Sequence, residues 1–360
     1  MAPKWLRNIH WPLFISMMML ISIGILFIYS ASYENPAKYE VRQMFWAAAG
    51  FCIFFSVPAV GHRTFLNMSY LLYAITLVLL VGVHFFGETR YGAQRWLAIG
   101  PWSMQPSEFA KIATVMALAN FLGTRNSWER DFKTILSACT IVIIPMILIM
   151  KQPDLGSSLL FLPILLVLFF LWGIQYRYII FAFLGGSIAA PIMWFFLKEY
   201  QKKRIQVFLD PKLDPLGAGY TAIQSKIAVG AGGFAGKGFL KGTQSHLNFV
   251  PEHHTDFIVC VIGEEWGFLG ILLLIILYGV LFNSFFQIMQ GTSEARGRLL
   301  AGGILAILLA QVLINIGMTI GLMPITGLTL PLVSYGGSSF LMTAFALGLV
   351  LSIHKERSFF

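Results

Sequence analysis

Asp256 is the first candidate for chemistry, because its carboxylate stands where a polar segment meets a long apolar one. The sequence reads His253-His254-Thr255-Asp256 and turns apolar at Phe257. An ionisable group beside an apolar segment of membrane-spanning length is a candidate functional group. Its carboxylate has the chemistry to take a proton or to hold a cation. A structural alternative stays open, in which Thr255 or Asp256 caps the helix that follows.

A second candidate is the pair Glu108 and Lys111, near the start of another apolar segment that opens with Gln105-Pro106-Ser107. A spacing of three residues places the two charged side chains on one face of a helix. One interpretation is a structural ion pair. The other is an ion pair that positions a substrate or a neighbouring carboxylate.

Glu264 and Glu265 follow Asp256 in the same apolar segment. On a regular helix Glu264 lies about 80° from Asp256 around the axis, whereas Glu265 lies on the opposite face. The two glutamates therefore cannot serve one cavity. We expect at least one of them to pack against polar partners inside the bundle.

The segment Ser334-Tyr335-Gly336-Gly337-Ser338-Ser339 lies in the last apolar run. Small residues permit two helices to approach closely, which is a structural role. The alternative is a locally opened helix whose backbone lines a polar cavity.

A glycine-rich segment at residues 230–238 resembles a nucleotide-binding loop only superficially. A P-loop needs Gly at position 231 and Ser or Thr at position 238, where this chain has Ala231 and Gly238. No strand is predicted before it. The segment is not a nucleotide site.

The composition places these residues in a membrane protein. Of 360 residues, 57% are hydrophobic and 11% are charged, whereas soluble domains carry about 25% charged residues. We therefore predict a single membrane domain over residues 1–360. The net charge of +9 is dispersed over short loops and does not indicate nucleic-acid binding. Cys52, Cys139 and Cys260 lie singly in apolar segments, as small buried hydrophobes do.

The predicted fold class is an all-α membrane protein with about ten transmembrane helices. Runs long enough to cross about 30 Å of hydrocarbon occur at residues 12–31, 44–60, 66–86, 105–123, 134–150, 155–173, 176–197, 257–286, 299–322 and 328–353.

The Lys and Arg residues predict the orientation. They concentrate in the segments that are cytoplasmic if both termini are cytoplasmic. Residues 198–256 then form a long extracytoplasmic loop between helices 7 and 8. Its apolar and glycine-rich stretches argue against disorder, and we expect short helices at the membrane interface.

Four separated segments resemble the SEDS family of bacterial cell-wall polymerases, over nearly the whole chain. They are residues 105–108, Gln152-Pro153-Asp154-Leu155-Gly156, the stretch from Asp214 to Asp256, and residues 331–339. Four matches in the same order are not a chance agreement. The element Gly242-Thr243-Gln244-Ser245 is the main indication of the branch that acts in cell elongation rather than division.

This resemblance implies an activity, partners and site residues. The family polymerises lipid II, an undecaprenyl-pyrophosphate disaccharide-peptide, outside the bacterial cytoplasmic membrane, beside a class B penicillin-binding protein that crosslinks the strands. Asp256 falls on the family's essential aspartate, and Glu108 and Lys111 fall on a functionally sensitive pair. We expect substrate-binding roles for Arg95, Trp96, Arg204, Gln224, Lys226, Gln244, Ser245, His254, Thr255, Ser334 and Ser338.

The residue types suit this reaction. A β-1,4 bond made from an α-linked donor requires an inverting single displacement, in which a base takes the proton of the acceptor hydroxyl. The pyrophosphate leaving group needs no second carboxylic acid, unlike the alkoxide of glycoside hydrolysis. Asp256 is expected to act as that base or to bind a divalent cation, Mg²⁺ or Mn²⁺. The alternative function is a lipid II flippase, which would place its site near the midplane of the membrane.

Overall fold

The protein is described by a computed structural model. It describes residues 9–33, 38–90, 93–99, 102–125, 131–175, 177–178, 180, 184–185, 191, 194–195, 197–247 and 249–357.

Helices account for most of these residues. In the first half they are α1 (Trp11–Ala31), α2 (Tyr39–Val60), α3 (His62–Asn67), α4 (Ser69–Phe86), α5 (Pro106–Gly123), α6 (Phe132–Lys151), α7 (Leu155–Leu159) and α8 (Phe161–Trp172). In the second half they are α9 (Glu199–Leu209), α10 (Ala218–Ala231), α11 (Thr243–His246), α12 (Ile258–Gln290), α13 (Ala295–Thr319) and α14 (Gly337–Arg357).

Local sequence signals start several of these helices. Pro12 occupies the first turn of α1, where its missing N–H is not needed. The Asp131 carboxylate accepts a 2.9 Å hydrogen bond from the Thr134 amide and so caps α6. Asp154 caps α7 in the same way, through the Ser157 amide.

The spans agree with the sequence prediction of a multi-pass membrane protein. Within the described ranges, eight helices are long and apolar enough to cross a membrane. Helix α5 also runs the length of the bundle, although its charged residues lower its hydropathy. It is almost wholly buried among its neighbours. The predicted span at 176–197 falls largely outside the described residues.

The last predicted span, at 328–353, begins too early. Helix α14 starts only at Gly337, and residues 320–336 are not helical. Pro324 and Pro331 cannot donate to a helical ladder, and Gly327 has a φ of +76°. The irregular segment crosses the same end of the bundle as Asp256.

Three short strands lie between α4 and α5, and the sequence analysis did not predict them. They are β1 (Glu88–Arg90), β2 (Ala93–Ile99) and β3 (Trp102–Met104). They form an antiparallel sheet in the order β1-β2-β3. Strand β1 has only three residues, and the seven residues of β2, Ala-Gln-Arg-Trp-Leu-Ala-Ile, do not alternate between polar and apolar, so the pattern does not reveal the sheet. The sheet matters because β2 carries Arg95.

The long loop does contain short helices, α9 to α11, as expected from its sequence. The glycine-rich segment packs against an opened turn of α12, where Gly267 leaves helical geometry with φ 63° and ψ −153°. The Lys237 amide donates to the Glu264 carbonyl at 3.0 Å, and the Phe268 amide donates to the Gly233 carbonyl at 2.9 Å. The glycines therefore allow the backbone of this segment to approach the backbone of α12 closely.

The described segments that the sequence assigns to the two sides of a membrane meet at two opposite ends of the bundle. At one end, the Tyr335 amide donates to the His254 carbonyl and so joins the long loop to the segment before α14. At the other end, His62 lies 3.5 Å from Glu294 and 3.4 Å from Glu356.

Candidate active site

Asp256 lies in the turn that precedes α12 rather than in the helix itself. The helix begins at Ile258, and the residue before it, Phe257, makes no side-chain capping bond. The Thr255 hydroxyl donates instead to the Glu252 carbonyl at 3.1 Å. Among the described residues, none donates a hydrogen bond to the Asp256 carboxylate. Neither Thr255 nor Asp256 is the helix cap that the sequence left open.

Three consecutive backbone carbonyls of this turn are fixed from outside it. The His254 carbonyl accepts from the Tyr335 amide at 3.1 Å. The Thr255 carbonyl accepts from the Ser334 hydroxyl at 2.6 Å. The Asp256 carbonyl accepts from the side-chain amide of Asn315, 2.9 Å away. The backbone under the carboxylate is therefore rigidly held.

Two histidines attach the same turn to the first helices. The ring nitrogens of His253 lie 2.8 Å from the Ala31 carbonyl and 3.0 Å from the Val250 carbonyl. The ring of His254 stacks on Tyr39, with 4.4 Å between the ring centroids. His254 is thus a packing residue in this structure.

Two arginines from separate elements face Asp256. Arg95, on β2, lies 3.8 Å from the Asp154 carboxylate and donates to the Gln152 carbonyl at 3.3 Å. Arg204, on α9, directs Nη1 to the Thr326 carbonyl at 3.5 Å. Both guanidinium groups interact electrostatically with the Asp256 carboxylate. Arginine suits bidentate binding of phosphate oxygens.

The environment makes the Asp256 carboxyl group a weaker acid than an ordinary aspartic acid. Burial raises the pKa of Asp256 to about 7, and the carboxylates of Glu252 and Asp154 act in the same direction, while Arg95 and Arg204 oppose the rise. A carboxyl group that ionises near neutral pH is matched to general-base catalysis at that pH.

A groove opens next to this centre. It is lined by Arg204, Lys226 and largely apolar side chains, among them Val207, Phe208, Met318, Met323 and Ile325. Lys226 lies across Gly321 on one wall. Arg204 lines the groove and also interacts electrostatically with the Asp256 carboxylate, although Asp256 itself does not line the groove.

The Glu108–Lys111 pair occupies a different pocket. Lys111 Nζ donates to Glu108 Oε1 at 2.7 Å, and Lys111 is only 1% exposed. The pocket is also lined by Gln311 and Thr343. Asp256 does not line it. Any effect of the pair on Asp256 is therefore indirect. A route exists through α13, since Gln311 in this pocket lies one turn from Asn315, whose amide binds the Asp256 carbonyl.

The remaining predicted site residues are dispersed. The Gln244 amide donates to the Glu264 carboxylate at 2.8 Å. Ser338 Oγ accepts from the Gln105 amide at 3.3 Å. Trp96 lies on β2 opposite Glu88. Gln224 lies on α10 and does not line the groove, and the side chain of Ser245 lies outside the description.

Glu264 and Glu265 both have polar packing partners. Glu264 is fully buried and accepts hydrogen bonds from Lys237 Nζ at 2.8 Å and from the Thr243 amide at 2.7 Å. Glu265 accepts a bond from the Ser30 hydroxyl. These contacts hold the long loop and α1 against α12, which is the role expected for at least one of the two.

Sequence reasoning missed Asn315 and the placement of Asp154. Asn315 is a buried amide in a largely apolar span, one turn after Gln311, and a polar side chain inside a membrane span is itself a signal of function. Asp154 was read only as part of a motif. Its carboxylate accepts a 3.3 Å hydrogen bond from the side-chain amide of Gln105, Nε2, and so links two motifs around Arg95.

Within the described residues, the side chains around Asp256 do not by themselves form a complete site for a divalent cation. Within the described part of the chain, Asp256 belongs to no group of three ligand side chains close enough to share an ion. The one such group is His62, Glu294 and Glu356 at the opposite end, where Arg63 Nε lies 3.0 Å from both carboxylates. Mg²⁺ commonly binds one carboxylate together with substrate phosphates. Asp256 fits a cation only in that manner.

Comparison with known proteins gives a family match over almost the whole chain. The family described as cell cycle protein FtsW/RodA/SpoVE matches residues 10–359. The peptidoglycan glycosyltransferase MrdB of Escherichia coli K12 is 42% identical over 339 residues, which cover 94% of this chain and 91% of MrdB. The peptidoglycan glycosyltransferase RodA of Treponema pallidum is 34% identical over 99% of this chain and all of that protein.

Solved structures show the same fold. A chain from a peptidoglycan synthase complex, described as coordinating polymerisation and crosslinking, superposes with a TM-score of 0.85 at 32% identity and covers 96% of this chain and 98% of its own length. The crystal structure of the rod shape determining protein RodA of Thermus thermophilus gives a TM-score of 0.74 at 28% identity, with 99% of both chains covered.

Proposed function

This chain belongs to the FtsW/RodA/SpoVE family and is a peptidoglycan glycosyltransferase, and we propose that it polymerises lipid II during cell elongation with Asp256 as the base. One observation carries the assignment of the base. Asp256 combines a backbone fixed at three successive carbonyls with a carboxylate that accepts no hydrogen bond from the described residues and faces two arginines.

The proposed reaction is a single displacement. An oxygen of Asp256 takes the proton from the acceptor sugar hydroxyl while that hydroxyl attacks the anomeric carbon of the donor. The bond from that carbon to the diphosphate breaks, and the electron pair leaves with the diphosphate. The configuration inverts, so an α-linked donor gives a β-1,4 bond. The near-neutral pKa of Asp256 supports this role, because the carboxylate is available at neutral pH.

The groove beside Asp256 is the proposed place of the lipid diphosphate. Arg204 and Lys226 supply two cations and the other walls are largely apolar, which matches a polyprenyl chain joined to a diphosphate. Arg204 lies between the groove and the carboxylate, where it would neutralise the leaving group. Arg95, on β2, also interacts with the Asp256 carboxylate and would meet the second substrate.

A divalent cation belongs to the proposal. In the alternative role that the sequence leaves open, Asp256 would hold Mg²⁺ or Mn²⁺ together with the substrate diphosphate. When bound, the cation would supply positive charge to the leaving diphosphate. Removal of the cation with a chelator tests this point, since a rate unchanged by chelation would exclude it.

The chain is a multi-pass membrane protein. We place both termini in the cytoplasm and the Asp256 end outside, in the bacterial inner membrane. The class B penicillin-binding protein expected as partner is supported by the similarity to a chain of a complex that couples polymerisation to crosslinking. Its transpeptidase domain would receive the strands at this end.

Reconstitution separates this proposal from the flippase. Purified protein is placed in vesicles that contain lipid II, and both glycan strands and movement of lipid II between leaflets are measured. The polymerase produces strands. Lipid II that crosses the bilayer and never forms strands would establish the flippase instead. The charged groups around Asp256 lie at one end of the bundle, which favours polymerisation, since a flippase requires a site near the midplane.

A further inference from the structure

We infer that Asn315 is a positioning residue for glycosyl transfer, because its one amide group fixes the backbone on both sides of the Asp256 carboxylate. The inference rests on the proposed role of Asp256 as the base. It concerns a residue on α13 that belongs to none of the four motifs by which the family was recognised.

The two hydrogens of the Asn315 amide nitrogen have two different acceptors. Nδ2 donates to the Asp256 carbonyl at 2.9 Å and to the Leu328 carbonyl at 2.6 Å. The first acceptor lies in the turn before α12 and the second in the irregular segment before α14. Asn315 is fully buried, so no water competes for these bonds. One side chain therefore sets the distance between two segments that no covalent bond joins directly.

The second acceptor matters because its neighbour in the chain, Gly327, lies beside the carboxylate. A Cβ atom on Gly327 would lie 3.4 Å from Asp256 Oδ2. Gly327 also has a φ of +76°, which favours glycine. By holding the Leu328 carbonyl, Asn315 fixes Gly327 directly beside the carboxylate. The carboxylate thus has its own backbone on one side and Gly327 on the other, and both are tied to Asn315.

The cost of burying this amide argues for a role. The Oδ1 atom of Asn315 is buried without a hydrogen-bond partner in the described structure. An unsatisfied buried acceptor is unfavourable and calls for an explanation. A leucine would fill the site without this cost. The two hydrogen bonds that Asn315 donates explain why an asparagine occupies this site.

The bonds of the two preceding carbonyls make the inference testable. The Tyr335 amide and the Ser334 hydroxyl still hold His254 and Thr255 when Asn315 is replaced. A variant of Asn315 should therefore keep the fold and lose only the last constraint, the one at Asp256. The expected consequence is a carboxylate that is present but displaced, which affects kcat rather than substrate binding.

The charged groups that face Asp256 come from four elements and stay in place in such a variant. They are Glu252 in its own turn, Arg95 on β2, Asp154 before α7 and Arg204 on α9. Loosening the turn admits water to the carboxylate and reduces the effect of burial. The acidic limb of the rate profile should then move to lower pH. A purely structural defect would lower the amount of folded enzyme and leave this limb where it was.

The experiment uses the full-length protein in vesicles with lipid II as the substrate. Asn315→Leu removes both donors. Asn315→Gln keeps them but shifts them by one carbon–carbon bond, about 1.5 Å. Asn120→Leu is the matched control, because Asn120 is also a buried asparagine, on α5, and its amide donates to Ser69 far from Asp256. For each variant we measure kcat, KM, the pH profile and the melting temperature.

We expect Asn315→Leu to lower kcat about tenfold or more, with KM within about twofold of the wild type and the acidic limb at lower pH. Asn315→Gln should fall between wild type and leucine, and Asn120→Leu should keep the wild-type kcat per folded molecule. A wild-type kcat in folded Asn315→Leu overturns the inference. If the leucine variant does not fold, a wild-type kcat in Asn315→Gln overturns it.

Failure of this inference is distinguishable from failure of the proposed function. If Asp256→Asn is inactive while Asn315→Leu has the wild-type kcat and profile, Asp256 remains the base and Asn315 has no positioning role. If Asp256→Asn keeps full activity, the base assignment falls and the inference falls with it.

Discussion

The hydroxyl of Ser334 donates a 2.6 Å hydrogen bond to the carbonyl of Thr255 and accepts one of 2.9 Å from the Leu330 amide. This one side chain joins the segment before α14 to the turn that carries Asp256. The two segments are about eighty residues apart in the chain. The site is therefore assembled by contacts between loops at one end of the bundle, while the membrane spans serve as its rigid frame.

The first prediction concerns the buried pair Glu108 and Lys111. Lys111→Met leaves an unpaired carboxylate in a buried site, which costs about 3–5 kcal/mol of stability. Replacing both residues, with Glu108→Gln and Lys111→Met together, should restore most of that stability. If the pair also shapes the site, polymerisation stays low in the stable double variant. Melting temperature and strand formation are measured together, and full activity in the double variant would make the pair purely structural.

The second prediction follows from the acidity of Asp256. Its folded-state pKa is raised to about 7 from 3.8, so between these values the folded protein binds more protons than the unfolded chain. Stability attributable to this group therefore falls as pH rises from about 4 to 7 and stays reduced above. Asp256→Asn removes this penalty. Its melting temperature should exceed that of the wild type at pH 8, and the difference should shrink towards pH 5.

A melting difference between these two proteins that is the same at pH 5 and pH 8 would contradict the raised pKa of Asp256. The rate of polymerisation provides an independent check. As a base, the carboxylate acts in its ionised form, so the rate should rise with pH through about 7 and then level off.

The third prediction concerns the glycine-rich segment. A Cβ atom on Gly236 would lie 2.0 Å from the Glu265 carbonyl oxygen, and its φ is +81°. The strained backbone alone should cost Gly236→Ala about 1–3 kcal/mol of stability, and the overlap with the Glu265 carbonyl adds to this cost. Gly230→Ala is the control, since a Cβ there meets no atom within 4 Å. Equal melting temperatures for the two alanine variants would show that the segment is not packed against α12 in this way.

Hydropathy predicted the spans well because the solvent of these helices is lipid, and a long apolar run reports that directly. It failed where tertiary contacts decide the structure. The irregular segment before α14 is apolar, yet Pro324, Pro331 and the contacts of Ser334 keep it from forming a helix. The resemblance supplied Asp256, but it could not show that Asn315 and Asp154 converge on it, because those contacts join residues far apart in the chain.

The fourth prediction is topological. If the Asp256 end faces outward, a cysteine at Lys241, an exposed position in the long loop, should react with a membrane-impermeant reagent in intact cells. A cysteine at Ser293, an exposed position between α12 and α13, should not. Both probes are placed in a chain whose own Cys52, Cys139 and Cys260 are replaced. The reverse labelling pattern would invert the orientation and remove the extracytoplasmic site.

The most direct test of the account is glycan-strand formation by Asp256→Asn, with Asp210→Asn as the control from the same loop. Asparagine keeps the size of the side chain but cannot act as a base. Asp210 is exposed, and within the described part of the chain its carboxylate accepts a hydrogen bond only from the nearby Lys212 amide, so its replacement by asparagine should change little. Purified proteins are compared for polymerisation of lipid II, melting temperature and partner co-purification. We predict that Asp256→Asn loses polymerisation by a factor of about 10² or more while it remains folded and bound to its partner. Polymerisation at the wild-type rate by folded Asp256→Asn would contradict the account.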